Sequence, residues 1–290
     1  MRFASTAAQM RALDRAVIEG LGLPGIALME LAAGGVARVI RDHHGDDAAR
    51  GTAVVCGPGN NGGDGWAVAR WLHGWGLPVW VWAVGAPSDG TDAAIERTVA
   101  RAAGVPERVG VDGAGLVVDA VFGTGLVRAV TDPYAAALTA IAACGAPIVA
   151  VDLPSGLETD TGAVLGVCPA ATRTVTFGRP KLAMVLGDGP DRCGEVHVVD
   201  IGLDAGTPAG DRAAAELPDA ADLHPLRPIR RPGDHKGTHG HLLVVAGSAA
   251  MCGAAILACR GALAAGVGLV TLAATGPMRA RLAGLPPEVM

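Results

Sequence analysis

The chain has 290 residues, and half of them are hydrophobic, which is enough for a sizeable core in one large domain or two modest ones. Its formal net charge of -5 gives no sign of the basic surface that nucleic-acid binding needs, so we expect no nucleic-acid partner. The longest apolar stretch, residues 253–275, is rich in Gly and Ala and is interrupted by Arg260, so we expect no membrane span or membrane partner.

The six cysteines are scattered along the chain and form no C-x-x-C pair. In a chain of this length, that pattern favours reduced thiols over a disulfide framework. The first residues, Met1 to Ser5, lack the long apolar segment of a secretory signal peptide. We therefore expect a cytoplasmic protein.

Two helices are predicted at the start of the chain. Thr6 and Gln9 have the spacing of a capping box, so the first helix should begin there and continue to about Ile18. Gly20 and the residues after it should end this helix. A second helix is predicted over residues 26–41.

Short apolar strands then alternate with helices. Strands are predicted at residues 53–56, 78–84, 116–119, 147–152, 172–177 and 195–200, and helices at 66–75, 92–103 and 134–143. Continuously apolar strands that alternate with helices indicate a mostly parallel sheet covered on both faces, an α/β, Rossmann-like three-layer sandwich. Ligands bind to such sheets at the carboxyl ends of the strands.

The remainder of the chain changes character after this first domain, which we place at residues 1–205. Residues 206–232 are rich in Pro, Asp, Ala and Arg without a clear period, and we predict a linker there. In residues 233–290 the pattern predicts a strand, a helix and a strand, at 241–246, 254–265 and 268–273. Three such elements cannot bury enough surface to stand alone. This segment therefore either docks on the first domain or begins a second, incomplete one.

The segment Gly57–Gly65 reads G-P-G-N-N-G-G-D-G and directly follows a predicted strand. Its first glycines fit the G-x-G-x-x-G pattern, which lets backbone amides approach an anion at a helix N-terminus. A tight turn would also explain the glycines, but Asn60, Asn61 and Asp64 favour a binding loop for a phosphate-bearing molecule. The usual dinucleotide fingerprint also needs an acid at the end of the second strand, and residues 82–85 provide none. Ordinary NAD-dehydrogenase binding is therefore disfavoured.

Two further strands end in an aspartate that precedes a glycine-containing loop. Asp119 ends one strand, and Asp152 ends the next. Either aspartate could simply cap a helix. Together, however, Asn61, Asp119 and Ser155 could offer several neutral oxygens and one charge at one sheet edge. Such a set suits a weakly held monovalent cation better than a divalent one.

The motifs of the first domain resemble those of the NAD(P)H-hydrate epimerase family, also called the YjeF N-terminal domain family. The matching segments are Gln9-Met10-x-x-x-Asp14, Gly25-Ile26-x-Leu28-Met29-Glu30, Gly57–Gly65, Val118-Asp119-Ala120, Gly123–Arg128, Val151–Leu157, Phe177–Lys181 and Gly187-Asp188-Gly189. They occur in order over about residues 1–205.

This resemblance implies an isomerase that repairs damaged nicotinamide cofactors by interconverting the R and S hydrates of NADH and NADPH (NADHX and NADPHX) at C6. By motif position, the implied substrate-binding residues are Asn60, Asn61, Gly62, Gly63, Asp64, Gly123, Thr124, Gly125, Leu126, Val127, Arg128, Ala129 and Asp152. The resemblance also implies a potassium ion coordinated by Asn61, Asp119 and Ser155. Epimerisation moves a proton or water at one carbon, so we predict Asp152 as the catalytic acid/base, with Asp64 and Lys181 as weaker candidates. We also expect a homo-oligomer.

Residues 233–290 resemble the opening of the ADP-dependent NAD(P)H-hydrate dehydratase domain, a ribokinase-like fold. The matching segments are Lys236-Gly237-x-x-Gly240, Leu243-Val244-Val245-x-Gly247-Ser248, Met251-x-Gly253-Ala254-Ala255 and Gly266-x-Gly268-Leu269-Val270-Thr271. The segment that would carry the catalytic aspartate of that domain is missing from this sequence. We therefore expect a truncated bifunctional arrangement without dehydratase activity, in which ADP or ATP would serve only a complete lyase domain.

Two alternatives to an active epimerase remain. Related domains serve as non-catalytic interaction modules, which we expect to lose polar loop residues such as Asn60, Asp64 and Asp152; all three are present here. A kinase-like enzyme based on the C-terminal segment would need the missing catalytic half. One departure from the family pattern is Leu31, which stands where the family usually has Asn after Met-Glu.

Overall fold

The computed structural model describes residues 2–206, 214–226 and 229–290. The chain divides into two units, Met1–Pro218 and Asp219–Met290.

The first unit is built on a six-stranded parallel sheet. Its strands are β2 (Thr52–Cys56), β3 (Val79–Ala83), β4 (Leu116–Ala120), β5 (Ile148–Val151), β6 (Arg173–Phe177) and β7 (Glu195–Val199). They lie in the order β3-β2-β4-β5-β6-β7. The chain moves from β2 to β3 on one side and then returns to place β4 on the other side of β2. This reversal opens a crevice between the carboxyl ends of β2 and β4, which is where open α/β sheets bind ligands.

Helices cover both faces of this sheet and complete the predicted three-layer sandwich. They are α1 (Ala7–Arg15), α2 (Gly25–Ala49), α3 (Asn60–Gly74), α4 (Asp92–Ala102), α5 (Tyr134–Ala143) and the short α6 (Gly189–Cys193). Val54 packs with α1, α2 and α3 on one face, whereas Val55 packs with α5 on the other. Successive strand residues point to opposite faces, so two separate cores form from continuously apolar strands.

The predicted α/β alternation is confirmed, and most predicted bounds lie within two residues of those observed, but two helices were predicted wrongly. Helix α3 begins at Asn60 rather than Trp66, so two thirds of the predicted loop Gly57–Gly65 is helical. Gly62 is helical despite its low propensity because it packs directly on the Gly57 carbonyl. Helix α2 runs eight residues beyond the predicted Arg41, and the non-helical backbone of His44 (φ -134°, ψ 25°) marks a kink within it.

The N-terminal segment consists of a short strand, helix α1 and a π-helical turn. The predicted capping box of Thr6 and Gln9 is present at the start of α1. Helix α1 continues as a π-helix over Ala16–Gly20, where a single α-helix was predicted through Ile18. Ahead of α1, β1 (Arg2–Ala4) pairs antiparallel with β8 (Ala215–Leu217).

Strand β8 lies within residues 206–232, the segment predicted as a linker. The same segment also contains the short helix α7 (Ala220–Leu223). Its residues 207–213 and 227–228 lie outside the described part of the chain. The segment predicted as a linker therefore contains a short strand and a short helix.

The second unit contains β9 (His241–Val245), α8 (Gly253–Ala264) and β10 (Leu269–Ala273), with the two strands parallel, as the sequence predicts. Its core is small and centres on Cys259, Ala262 and Val270. Leu243 and Val245 of β9 are largely exposed. No helix in the described ranges of either unit is long and apolar enough to cross a membrane.

Candidate active site

A cavity of about 580 Å³ lies at the carboxyl edge of the sheet in the first unit, a volume typical of small-molecule sites. Its apolar wall comes mainly from the first two helices, the loop after β4 and the end of β6: Met10, Ile18, Leu28, Met29, Ala32, Val121, Phe122, Leu126, Phe177, Ile201 and Leu203. Its polar side chains are Arg11, Asp14, Asn60, Asn61, Asp64, Asp92, Thr124, Asp152 and Lys181. A few polar groups thus converge in a largely apolar crevice.

The cavity collects most, but not all, of the residues that the sequence predicts to bind substrate. The residues that line it are Asn60, Asn61, Asp64, Gly123, Thr124, Gly125, Leu126 and Asp152. Gly62 and Gly63 are buried behind the wall of the cavity, whereas the sequence predicted that they contact the substrate. Val127, Arg128 and Ala129 are exposed and lie outside the lining.

The glycines after β2 allow close packing of the backbone. A Cβ at Gly57 would overlap the Val121 carbonyl, and one at Gly63 would lie 2.8 Å from Met29 Sδ and 2.9 Å from Ala93. A Cβ at Gly65 would lie 2.6 Å from the Ala120 side chain. These positions therefore bring α3 close to β4 and α4, which the G-x-G-x-x-G pattern alone does not reveal.

The N-terminus of α3 opens into the cavity. Its N-cap is Gly59, which has no side chain to cap the first amides, and Gly59 and Asn60 both line the cavity. Asn61 is 9% exposed, and its Nδ2 has no hydrogen-bond partner among the described residues. The first amides of a helix and a free amide donor can together bind an anion such as a phosphate.

Asp152, the residue after β5, has a strained backbone. Its φ of 66° is the only positive value among the non-glycine residues that the structure describes. The Leu153 amide donates to the Val151 carbonyl over 2.8 Å, which closes a three-residue turn around Asp152. Such strain costs about 1–3 kcal/mol and is typical of functional sites. Here it places the carboxylate at the mouth of the sheet.

Three donors hold the Asp152 carboxylate. Lys181 Nζ lies 2.6 Å from Oδ1, and the Thr176 hydroxyl donates to the same oxygen over 3.1 Å. The Thr124 amide donates to Oδ2 over 3.3 Å. Thr176 lies on the neighbouring strand β6, one position before its end, so parallel pairing brings it beside Asp152.

Lys181 is almost completely buried, with 1% of its surface exposed. Besides Asp152, its ammonium donates to the Thr176 hydroxyl over 2.6 Å and to the Phe177 carbonyl over 3.1 Å. The Ser5 backbone bonds to Pro180 and Leu182 on either side of it. The ammonium is thus fully engaged and fixed, as a buried charge must be.

Gly123 fits between the two polar residues that face each other across the cavity floor. A Cβ at this position would lie 3.0 Å from Asp152 Oδ2 and 3.1 Å from Asn61 Oδ1. The N-terminus of α3 and the loops after β4 and β5 therefore meet at Gly123.

Three further carboxyl groups line the cavity, those of Asp14, Asp64 and Asp92, and the first two have a raised pKa. Burial raises the pKa of Asp14 on α1; the charge of Lys181 opposes this rise, and that of Asp152 adds to it. Burial also raises the pKa of Asp64 well above its usual range, and the charge of Asp152 raises it further. Asp64 was a weaker candidate from the sequence. Asp14 was not a candidate, although its position one helical turn after Met10 places both residues on the cavity side of α1.

Asp119 and Ser155, two of the three predicted potassium ligands, lie buried beneath the cavity lining. The Ser155 hydroxyl donates to Asp119 Oδ1 over 2.6 Å, and the Ser155 amide donates to Oδ2 over 2.8 Å. Burial raises the pKa of Asp119, while the hydrogen bonds from Ser155 lower it. Among the described residues, no Lys, Arg or His forms an ion pair with Asp119. The third predicted ligand, Asn61, lines the cavity itself.

Comparison with known proteins identifies the family. Residues 25–183, more than half of the chain, match the family described as YjeF-related protein N-terminus. A protein from Limosilactobacillus fermentum, named NAD(P)H-hydrate epimerase, is 41% identical over 201 residues, which cover 68% of this chain and 96% of that protein. This chain belongs to the YjeF-related N-terminal family.

Longer members of the family also match this chain. The bifunctional NAD(P)H-hydrate repair enzyme Nnr of Salinibacter ruber is 38% identical over 305 residues, which cover 96% of this chain and 56% of that protein. The Nnr of Moorella thermoacetica is 39% identical, with 98% of this chain and 56% of that protein covered. The chain thus spans little more than half the length of these curated relatives.

A solved structure supports the fold. The crystal structure of the yeast protein ynu0 matches with a TM-score of 0.56 and 24% identity, covering 63% of this chain and 83% of the yeast chain. At this identity the match shows a common α/β architecture and no more.

Proposed function

We propose that this protein is an NAD(P)H-hydrate epimerase, an isomerase that interconverts the R and S hydrates of NADH and NADPH. The relatives named NAD(P)H-hydrate epimerase support this activity, since they align over nearly their whole length. The observation that carries the proposal is the cavity at the switch point of the sheet, with the Asp152–Lys181 ion pair on its floor and Asn60, Asn61 and Asp64 on its wall.

Each part of the cavity has a chemical use in this proposal. The N-terminus of α3 and the free amide of Asn61 would bind a phosphate of the dinucleotide. The apolar wall would hold the hydrated nicotinamide ring and exclude bulk water. Asp152, held as a carboxylate by Lys181, would contact the ring substituent and act as acid/base. The dinucleotide would be bound as substrate, consistent with the lack of a ribose-binding acid after β3.

We propose that a potassium ion binds beside Asp119 and Ser155, which lie buried beneath this cavity. Asp119 is fully buried, and its charge is not balanced by a cationic side chain of the described residues. A buried carboxylate of this kind is costly unless a cation lies beside it. Carboxylate, hydroxyl and amide oxygens are the ligands of hard cations. Asn61, Asp119 and Ser155 would hold the ion, which would supply positive charge and fix the N-terminus of α3 to the segments after β4 and β5.

The second unit enters the proposal only through its resemblance to the opening of a dehydratase domain. We propose no use of ADP or ATP by the residues of this chain. A homo-oligomer and a cytoplasmic location also stay predictions.

A coupled assay tests the proposal. R-NADHX is supplied with ADP and a separate dehydratase that accepts only the S form, and the return of NADH is followed at 340 nm. We expect the protein to accelerate NADH formation above the rate set by spontaneous epimerisation. If it gives no acceleration with or without potassium, the non-catalytic interaction module becomes the better interpretation.

A further inference from the structure

Inversion at the hydrated ring carbon needs two proton-transfer steps. This carbon carries a hydroxyl group and is bonded to the ring nitrogen. The hydroxyl can leave as water if an acid protonates it, while the nitrogen lone pair forms a C=N double bond. Water then adds to the other face of the carbon and must give up a proton to a base. An epimerase of this type therefore needs one proton donor and one proton acceptor.

Asp152 is suited to be the acceptor. Its Oδ1 is occupied by Lys181 and Thr176, and its Oδ2 receives only the long, 3.3 Å bond from the Thr124 amide. The ion pair makes it a fixed, charged carboxylate with one oxygen available. A proton donor in the same cavity must come from another residue.

Asp14 has the properties of that donor. It lines the cavity from α1, and no described residue forms a hydrogen bond or ion pair with its carboxyl group. The charged and titratable groups around it are Arg11, Arg15, Asp64, Asp152 and Lys181. Burial raises its pKa, which favours the protonated form that a general acid needs.

Helix α1 is anchored firmly enough to position Asp14. Asp160 Oδ1 accepts from the Ala7 amide over 2.7 Å at the start of the helix, next to the capping box. Just before the helix, the Ser5 amide donates to Pro180, and the Leu182 amide donates to Ser5. These bonds tie α1, which carries Asp14, to the segment that carries Lys181.

We propose that Asp14 is the second acid/base residue of the epimerisation, a deduction that rests on the proposed function. Protonated Asp14 donates to the departing hydroxyl, the C–O bond breaks, and water leaves. Water adds to the opposite face of the carbon, the C=N electron pair returns to nitrogen, and Asp152 takes the proton. In the reverse direction the two carboxyl groups exchange roles, and solvent returns the proton between turnovers.

Asp64 is less suited to this exchange. Its pKa is raised well above the usual range by burial, with Asp152 as the largest electrostatic contribution. A carboxyl group whose burial favours the neutral form is better suited to donate a hydrogen bond than to accept a proton in the reverse reaction.

The test compares Asp14→Asn with Glu19→Gln, which removes an exposed carboxylate just after α1. We expect Asp14→Asn to lower kcat by about 100-fold or more while KM changes little, and Glu19→Gln to match the wild type. Asp14→Glu should restore part of the loss. The kcat of the wild type should fall at high pH as Asp14 loses its proton, and this fall should be absent from the residual activity of Asp14→Asn.

A second measurement follows the oxygen atom. In ¹⁸O-labelled water, each epimerisation by the wild type should place one labelled oxygen on the product. An Asp14→Asn variant within about twofold of the wild-type kcat, or product without the label, would overturn the role of Asp14 while leaving the epimerase activity intact. An inactive wild type would overturn both. If Asp14→Asn does not fold, Asp14→Glu and the wild-type pH profile decide the matter.

Discussion

Lys181 Nζ lies 2.6 Å from Asp152 Oδ1, and both residues are buried, with 1% and 8% of their surfaces exposed. The two residues come from different loops at the carboxyl edge of the sheet, after β5 and after β6. The strained backbone at Asp152 directs its carboxylate toward this ammonium. The Asp152–Lys181 pair therefore both links two loops at the sheet edge and positions the carboxylate that we propose as an acid/base.

Removing the Lys181 ammonium should lower both the stability of the first unit and the epimerase activity. In Lys181→Met the carboxylate of Asp152 stays buried without its counter-charge, which typically costs about 3–5 kcal/mol. We expect a clear loss of stability in urea unfolding and loss of epimerase activity. The matched control is Lys236→Met, which changes the other lysine of the chain, exposed in the second unit. Equal midpoints for the first unit in both variants would contradict this account.

Gly123 offers a test of the cavity floor with a neighbouring control. Gly123→Ala should press Asp152 Oδ2 and Asn61 Oδ1 apart by a few tenths of an ångström, because its Cβ would lie 3.0 and 3.1 Å from them. We expect a loss of kcat of about tenfold or more, since small misplacements of reacting groups are costly. Gly125→Ala adds the same methyl group two residues away, where nothing lies within 4 Å. Similar kinetics for the two variants would show that the positions of Asp152 and Asn61 matter little.

Potassium binding should appear as thermal stabilisation. A ligand that binds only the folded protein raises Tm, and the buried charge of Asp119 gives the cation its site. We expect potassium chloride to raise the Tm of the wild type above its value in N-methylglucamine chloride at the same ionic strength. Asp119→Asn should abolish this difference. An unchanged difference in that variant, or none in the wild type, would exclude the site.

Ser155→Ala tests how much the hydrogen bonds around the buried Asp119 carboxylate contribute to stability. The variant removes the 2.6 Å bond from the Ser155 hydroxyl to Asp119 and the 2.8 Å bond from the Phe122 amide to that hydroxyl. Leaving buried polar groups unpaired should cost about 1–3 kcal/mol. Urea unfolding in N-methylglucamine chloride measures this cost apart from any effect of potassium. A variant as stable as the wild type would contradict the role of Ser155 in linking the loop after β5 to Asp119 and Phe122 at the end of β4.

Glu96 should make stability depend on pH. It is 2% exposed in the interface of α3 and α4, where burial first and then the charge of Glu30 raise its pKa from 4.5 to about 7. The folded protein therefore binds a proton more tightly than the unfolded chain, and this contribution to stability is lost as the pH rises from 4.5 to about 7. Glu96→Gln avoids this loss, so relative to the wild type it should gain up to about 3 kcal/mol between pH 4 and 8.

The control for Glu96 is Glu107→Gln. Glu107 is partly exposed, and its hydrogen bond with Arg101 lowers its pKa. This variant should change stability only slightly, and in the opposite direction as the pH rises. A constant difference in unfolding free energy between Glu96→Gln and the wild type across this pH range would refute the raised pKa.

The sequence predicts the sheet, its helices and most of the cavity. Strand ends are readable because the apolar runs stop at Asp119 and Asp152, and parallel strands bring their carboxyl ends together. The path of the chain between elements is less readable. Lys181 reaches Asp152 only through the turn at Gly178 (φ 65°), and Asp14 reaches the cavity only because α1 packs back over the sheet edge.

Two local features escaped prediction for physical reasons. Helix α3 begins among glycines, whose low helix propensity is overcome by close packing of Gly62 and Gly65 against neighbouring groups. Leu31, the departure from the family pattern, is 47% exposed and does not line the cavity. Its substitution therefore leaves the polar groups of the cavity in place.

The proposed epimerase should invert the hydrated carbon without any further reaction. Purified S-NADHX is incubated with the protein alone, without ADP or a dehydratase, and the two epimers are separated by chromatography over time. We expect rapid approach to the R and S equilibrium mixture with the wild type and a rate near that of buffer with Asp152→Asn. Conversion by the wild type at the rate of buffer alone would contradict the proposed function.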